Sequence, residues 1–326
     1  MPDSRHRRPL TAVGALTTTC SLLLFVWWIH RTGLAEIRNG FAQIGWGLAI
    51  VVLLGGVRFA LRAIAWMLCL EPPHRLPFPA AFGAVVAGDA LGNLLPLGPI
   101  VSEPTKAAFV RHEVSLGPAV AALAIENVLY TLSVAAMIAA GMAALLFVFD
   151  LPLALREVSE VAIGGVVLLF VLALVLLWRR PALASHVVRL RELEEQIYSF
   201  ASRRGARLAP IVATELGFHV VGVLEAYLTL WLLLGAPPSL LVAFIVETVN
   251  RLIIVVFKFV PLGMGVNEAG TAFLTGILGL GTVVGTTIGL VRKVRILCWI
   301  AVGATLLVKR GLTAGRVLSD PQLKQR

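Results

Sequence analysis

The sequence predicts an all-α, polytopic integral membrane protein with about six full spans plus two re-entrant helical hairpins, arranged as an inverted repeat. Three observations carry that expectation. The 326 residues are 58% apolar and only 14% charged, with a mean hydropathy of +0.90. Soluble chains run at roughly 45–50% apolar and about 25% charged, and a soluble fold could not hide the surplus. Apolar runs of membrane-crossing length recur along the whole chain. Two of the apolar stretches are interrupted by matching Pro/Gly segments, which is how duplicated transporter folds break their helices. A cytosolic enzyme, a nucleic-acid reader and a disordered chain are excluded on composition. The net charge of +10 then reads as cytoplasmic loops facing anionic lipid rather than a nucleic-acid surface.

The elements follow in order, with residues 1–326 forming one membrane domain. Arg5, Arg7 and Arg8 precede the first apolar run, 11–29, which outlasts a secretory h-region and lacks a small-residue cleavage site. An uncleaved signal anchor is expected. A span takes about 20 predominantly apolar residues, and the others are expected at 42–70, 116–149, 159–178, 209–234 and 282–308. Trp27, Trp28, Trp46, Trp66, Trp178 and Trp231 lie near span ends, as an aromatic belt would place them. Cys20, Cys69 and Cys298 are far apart in apolar segments and form neither a disulfide framework nor a zinc spacing.

The stretches 78–112 and 239–281 are the broken ones. The first carries Pro96-Leu97-Gly98-Pro99-Ile100-Val101-Ser102-Glu103; the second carries Pro261-Leu262-Gly263-Met264-Gly265-Val266-Asn267-Glu268. They align without a gap at an offset of 165 residues. Each is the third apolar element in a set of four, which makes 11–149 the first repeat and 150–308 the second.

Loop charge decides how the breaks sit. The linker 179–207 holds seven Arg and three Glu, and the tail 309–326 is also basic, whereas 150–158 has no basic excess and 235–238 no charge. If each broken element turns back, every basic segment falls on the side of the N-terminus. If each crosses, the linker falls opposite, against the positive-inside trend. Both termini are therefore expected in the cytoplasm, with the protein in the inner (plasma) membrane. The linker itself reads as an amphipathic helix, with Val187, Leu190, Leu193, Ile197 and Phe200 near helical spacing.

Fifteen of the charged residues fall inside apolar elements. Seven are acids (Asp89, Glu103, Glu126, Glu215, Glu225, Glu247, Glu268) and eight are bases (Arg58, Arg62, Lys106, Arg251, Lys258, Arg292, Lys293, Arg295). One ionisable group at mid-bilayer costs about 2.5–3.5 kcal/mol even on the lenient insertion scale, so these groups must face one another or a wet interior. Glu103 and Lys106, three apart, and Glu247 and Arg251, four apart, can pair along one helix. Arg58 with Arg62, and Arg292 with Arg295, are like-charged neighbours that need an anion from elsewhere. That anion is a carboxylate of another helix or a lipid phosphate, whose oxygens suit a guanidinium fork. Glu103 and Glu268, at equivalent places after the two turns, suit helix capping, ligand contact or both. Gly263 and Gly265 allow close backbone approach at the second turn. His219, four residues after Glu215, lacks a third ligand for a metal.

Two stretches carry a resemblance. Pro261-Leu-Gly263-Met-Gly265-Val-Asn267-Glu268-Ala-Gly270, followed 24 residues after its Glu by Arg292, is one. Asn93-Leu-Leu-Pro96, then Glu103-Pro-Thr-Lys106 and Glu126-Asn127, is the other. Over roughly 40–310 the chain resembles the lysylphosphatidylglycerol synthase transmembrane region, the flippase-like membrane domain of multiple peptide resistance factor. Lys106 stands where that family often has Arg. The resemblance implies lipid translocation without the aminoacyl-transferase activity, because no transferase follows the last apolar run within these 326 residues. Stand-alone relatives are linked to several polar-lipid pathways.

The site expectation is thus a headgroup site lined by Arg58, Arg62, Arg251, Lys258, Arg292 and Lys106, with Glu103, Glu126, Asn267 and Glu268 for a cationic group or a coupling proton. Pro96, Gly98, Pro261, Gly263 and Gly265 would shape the hairpin turns. No cofactor, metal, nucleic acid or enzymatic activity is expected. The expected partners are membrane lipids and a separately encoded lipid-modifying enzyme. A small-ion or small-solute secondary transporter, or a non-transporting partner of such an enzyme, would read similarly.

Overall fold

A computed structural model describes residues 23, 25–27, 29–95, 98–178 and 205–312, which contain helices and turns and no strand. Most of the run 11–29, the linker through 204, Pro96 and the tail beyond 312 lie outside the described residues. Ten α-helices are described in order. They are α1 Leu34–Ile44, α2 Gly47–Cys69, α3 Phe78–Leu94, α4 Gly98–Phe109, α5 Leu116–Val148, α6 Leu153–Trp178, α7 Gly205–Leu234, α8 Leu240–Val256, α9 Val266–Ile277 and α10 Thr282–Lys309. Gly47–Cys69, Leu116–Val148 and Leu208–Leu234 are long and apolar enough to cross a membrane. Exposed Leu53, Val161, Leu168, Leu216, Val220 and Val308 give these and neighbouring helices an oily outer surface, as lipid contact requires.

Three expectations change. Short α1 was not foreseen; it buries Ile37, Gly40 and Ile44 and leaves Glu36 and Arg38 outward. The loop expected at 150–158 is mostly helix, since α6 begins at Leu153 and pairs Arg156 with Glu160 one turn on. Trp66 is no belt residue: it is fully buried, and its indole N–H donates to the Ala119 carbonyl at 3.3 Å. Trp46, 90% exposed, and Trp231 do fit the rim.

Small residues set the packing, because helices in lipid gain by close backbone approach rather than by hiding from water. In α3 and α4 the facing pairs are Gly83 with Phe109, Gly88 with Ser102 and Lys106, and Gly92 with Gly98. The partner number falls as the first rises, so the two helices run antiparallel and the first broken element is a helical hairpin. The second is another: Gly270 of α9 packs on Ile253 of α8 around the turn Pro261–Gly263. Each hairpin leans on α10, through Gly303 against Val86 and Ala90, and through Gly285 and Gly289 against Thr271 and Glu268. At the centre, α2 and α7 are antiparallel, with Gly47 beside Leu232 and Leu61 beside Gly217.

Candidate functional site

Four guanidiniums converge where α2, α7, α8 and α10 meet. Glu247 of α8 accepts from Arg251 Nε at 3.0 Å, one turn along its own helix, and from Arg292 Nη2 of α10 at 2.8 Å. Arg58 of α2 lies between two carboxylates, 3.5 Å from Glu247 and 3.6 Å from Glu225 of α7. Arg295, one turn beyond Arg292, pairs with Glu225. Among the described residues the four arginines are matched by these two carboxylates alone within ion-pair distance, so the hub carries an excess of positive charge. Arg292 is buried, and its Nη1 has no hydrogen-bond partner. Phe218 of α7 fills the space between Arg58 and Arg251, whose Cζ atoms lie 4.3 and 5.0 Å from its ring centroid. A desolvated cation over a ring gains about 2 kcal/mol, which helps hold the charges inside.

A second cluster joins α2, α4 and α5. Arg62 Nε lies 2.7 Å from Glu126 Oε1 and its Nη2 donates to Oε2 at 3.0 Å, a fork on a fork. The same guanidinium stacks 3.6 Å from the Tyr130 centroid. Glu103 accepts from Lys106 Nζ at 2.6 Å and from Asn127 Nδ2 at 2.9 Å. Asp89 of α3 is half-buried and accepts from Asn93 Nδ2 at 2.8 Å.

The third cluster is the second hairpin tip. Leu262 (φ 55°) and Gly263 (φ 57°) both take the left-handed conformation, which costs Leu262 about 1–2 kcal/mol. A Cβ on Gly263 would run into the Asn267 carboxamide, whose Oδ1 is buried without a partner. Glu268, fully buried, accepts from the Gly265 N–H at 2.8 Å and lies 2.7 Å from Lys293 Nζ. It is a genuine N-terminal cap of α9. Glu103 is not one: it stands in the second turn of α4, so the expected shared capping role fails for the first tip.

Of the expected site residues, Arg58, Arg251 and Arg292 meet in the hub, and Arg62, Glu126, Glu103 and Lys106 meet beside it. Arg58 and Arg62, consecutive turns of α2, link the two. Glu268 and Asn267 stand at the second tip, and the two tip carboxylates share no partner. Lys258 is apart from all three, exposed in the apolar stretch Ile254–Phe259, with no ion pair among the described residues. Gly98, Pro261, Gly263 and Gly265 do lie at the turns, while Pro96 lies outside the described residues. Glu225, Glu247 and Arg295 were not among the expected site residues, although the cost of intramembrane charge marks them. They are the centre of the hub. His219 binds Ser133 at 3.0 Å, and no group of three potential metal ligands exists among the described residues.

No similar protein was found among those with curated descriptions, and no similar solved structure was found. The sequence model of the family described as the lysylphosphatidylglycerol synthase TM region matches residues 11–303, taking in all three clusters. The chain belongs to the lysylphosphatidylglycerol synthase transmembrane region family.

Proposed function

We propose that this protein binds a phospholipid or related polar lipid by its phosphate and moves it between leaflets, without catalysing a covalent reaction. One observation carries the reading: four arginines, three of them buried and Arg295 partly so, share two carboxylates, and a buried guanidinium N–H of Arg292 is left without an acceptor among the described residues. A phosphodiester would supply both the missing charge and the missing acceptor. The arginines are 6–8% exposed in Arg58, Arg251 and Arg292, so the conformation described is an occluded one. A headgroup enters when the hub exchanges carboxylate for phosphate, while the acyl chains stay in lipid.

Within this reading the chain makes six spans and two re-entrant hairpins, as an inverted repeat in the inner membrane with both termini cytoplasmic. The antiparallel crossing of α2 and α7, equivalent elements of the two halves, supports inversion, since parallel repeats would run them the same way. A recurrent contact supports the duplication itself: Glu103 bonds Asn127 and Glu268 pairs with Lys293, separations of 24 and 25 residues. Each tip carboxylate thereby anchors to the helix that follows its own hairpin. A separately encoded lipid-modifying enzyme would supply or consume the cargo.

The test is leaflet exchange of a fluorescent phospholipid in liposomes containing the purified protein. Wild type should speed exchange over protein-free liposomes, and Arg292→Gln should lower the protein-dependent rate about tenfold, matching loss of one charge-assisted bond. The chain of buried titratable pairs also suits a small-ion transporter. Ion uptake without any lipid movement would establish that reading instead.

A further inference from the structure

One buried acid stands outside all three clusters. Glu215 of α7 is 2% exposed, and neither of its carboxylate oxygens has a hydrogen-bond partner among the described residues. No cation lies within ion-pair distance of it among the described residues. The other interior acids all have partners: Glu103, Glu126, Glu225, Glu247 and Glu268 are ion-paired, and half-buried Asp89 accepts from Asn93. The groups within electrostatic reach of Glu215 are Arg62 and Cys69 from α2 and Glu126 and Tyr130 from α5. Arg62 has both faces committed, to Glu126 by its fork and to Tyr130 by stacking. One turn along α7, buried His219 leaves its Nδ1 without a partner while Nε2 meets Ser133. A carboxylate stripped of water, donors and a free cation is far costlier than a carboxylic acid in the same place. A metal ion does not fit, because it needs several ligands and no group of three His, Cys, Asp or Glu side chains able to hold one exists among the described residues.

We propose that Glu215 is the proton-binding site that couples lipid movement to a proton gradient, one proton travelling with one monoanionic phosphodiester headgroup. The inference rests on the lipid-translocation reading for its cargo, and on the burial of Glu215 for its proton. The interior charges set the ratio with Asp89, which accepts from the Asn93 amide, counted as ionised. Apart from exposed Lys258, the interior holds seven bases and seven acids. With a proton on Glu215 the interior is one positive charge in excess, and one phosphodiester restores neutrality. Headgroup and proton then favour each other's binding by the same factor. The proton enters from water on one side of the membrane and returns to water on the other, with no covalent bond to the lipid formed or broken.

Two measurements on the full-length protein separate the proton site from the cargo. Infrared spectra in nanodiscs at neutral pH should show a protonated-carboxyl C=O band. That band should be lost in Glu215→Gln and regained in Glu215→Asp, with the melting temperature of Glu215→Gln unchanged because Gln copies the neutral acid. A spectrum in which Glu215→Gln removes no such band overturns the site. In proteoliposomes with fluorescent phosphatidylglycerol, a tenfold proton gradient should build a leaflet asymmetry of up to about tenfold at one proton per lipid. Glu215→Gln should abolish that asymmetry. Proton and phosphodiester together are electroneutral, so a potassium diffusion potential alone should produce none. An asymmetry driven by potential, or lipid exchange indifferent to the proton gradient, overturns the coupling. If the infrared band behaves as expected but wild type moves no lipid, the proton site stands and the translocation reading falls.

Discussion

Glu247 shows how much one residue holds in this fold. Its two oxygens, 1% exposed, receive Arg58, Arg251 and Arg292 from three different helices. Removing one partner of a buried ion pair leaves the other charge stranded, at about 3–5 kcal/mol. Glu247→Gln should therefore lower stability by about 3 kcal/mol or more in nanodisc unfolding. Glu103, whose side chain is 32% exposed, pairs with the one buried cation Lys106, so Glu103→Gln should cost less than Glu247→Gln, which strands three. Equal losses at the two positions would contradict this hierarchy. The charges themselves were legible in the sequence, because an ion in hydrocarbon demands a reason. Their partners were legible only where one helix supplied both, as in Glu103 with Lys106 and Glu247 with Arg251. Arg62 with Glu126, 64 residues apart, and Arg292 with Glu247, 45 apart, depend on which helices touch, and no local spacing encodes that. The sequence left each arginine a choice between carboxylate and phosphate; in the structure Arg58, Arg251, Arg292 and Arg295 each reach a carboxylate, while Nη1 of Arg292 meets none among the described residues.

Helix α10 is the element on which both hairpins rest, and it makes those contacts through glycine. A Cβ on Gly303 would sit 2.6 Å from the Val86 carbonyl oxygen and from the Ala90 methyl, neither of which can swing aside. Gly303→Val should pry α3 from α10 at a cost of about 1–3 kcal/mol, read as a lower midpoint in thermal unfolding. Gly164 of α6 is exposed and meets nothing within 4 Å, so Gly164→Val should stay within about 0.5 kcal/mol of wild type. Element boundaries were legible wherever apolar length fixed them: α2, α5, α7 and α10 fall inside or within a few residues of the expected spans. Both breaks were legible too, from proline and glycine. Helix α1 was not, since its 11 residues are too short for a span and mix Glu36, Arg38 and Asn39 with the buried face. Trp66 misled because a tryptophan near a span end normally marks the rim, and only the approach of α5 to α2 buries it.

For the whole molecule, the claim is that two equivalent halves face opposite ways and enclose an arginine-rich centre. That orientation puts residues 154 and 236 on the outer side. In a background lacking Cys20, Cys69 and Cys298, Ala154→Cys and Ala236→Cys should react with a membrane-impermeant maleimide added to intact cells. Reaction of either only after the cytoplasm is opened would refute the inverted arrangement. The two halves meet along α2 with α7 and along α3 with α10, and the hub at the α2–α7 crossing is where a rocking of one half against the other would open. The most direct measurement of the central claim is where a lipid headgroup goes. A phosphatidylglycerol carrying a photoactivatable group on its headgroup, irradiated in nanodiscs with the protein, marks the residues it reaches. Adducts are expected on Phe218 and Tyr130, beside the arginines, and should disappear with Arg58→Gln. Adducts confined to the lipid-facing surface, at Val161, Leu168 and their neighbours, would contradict the account.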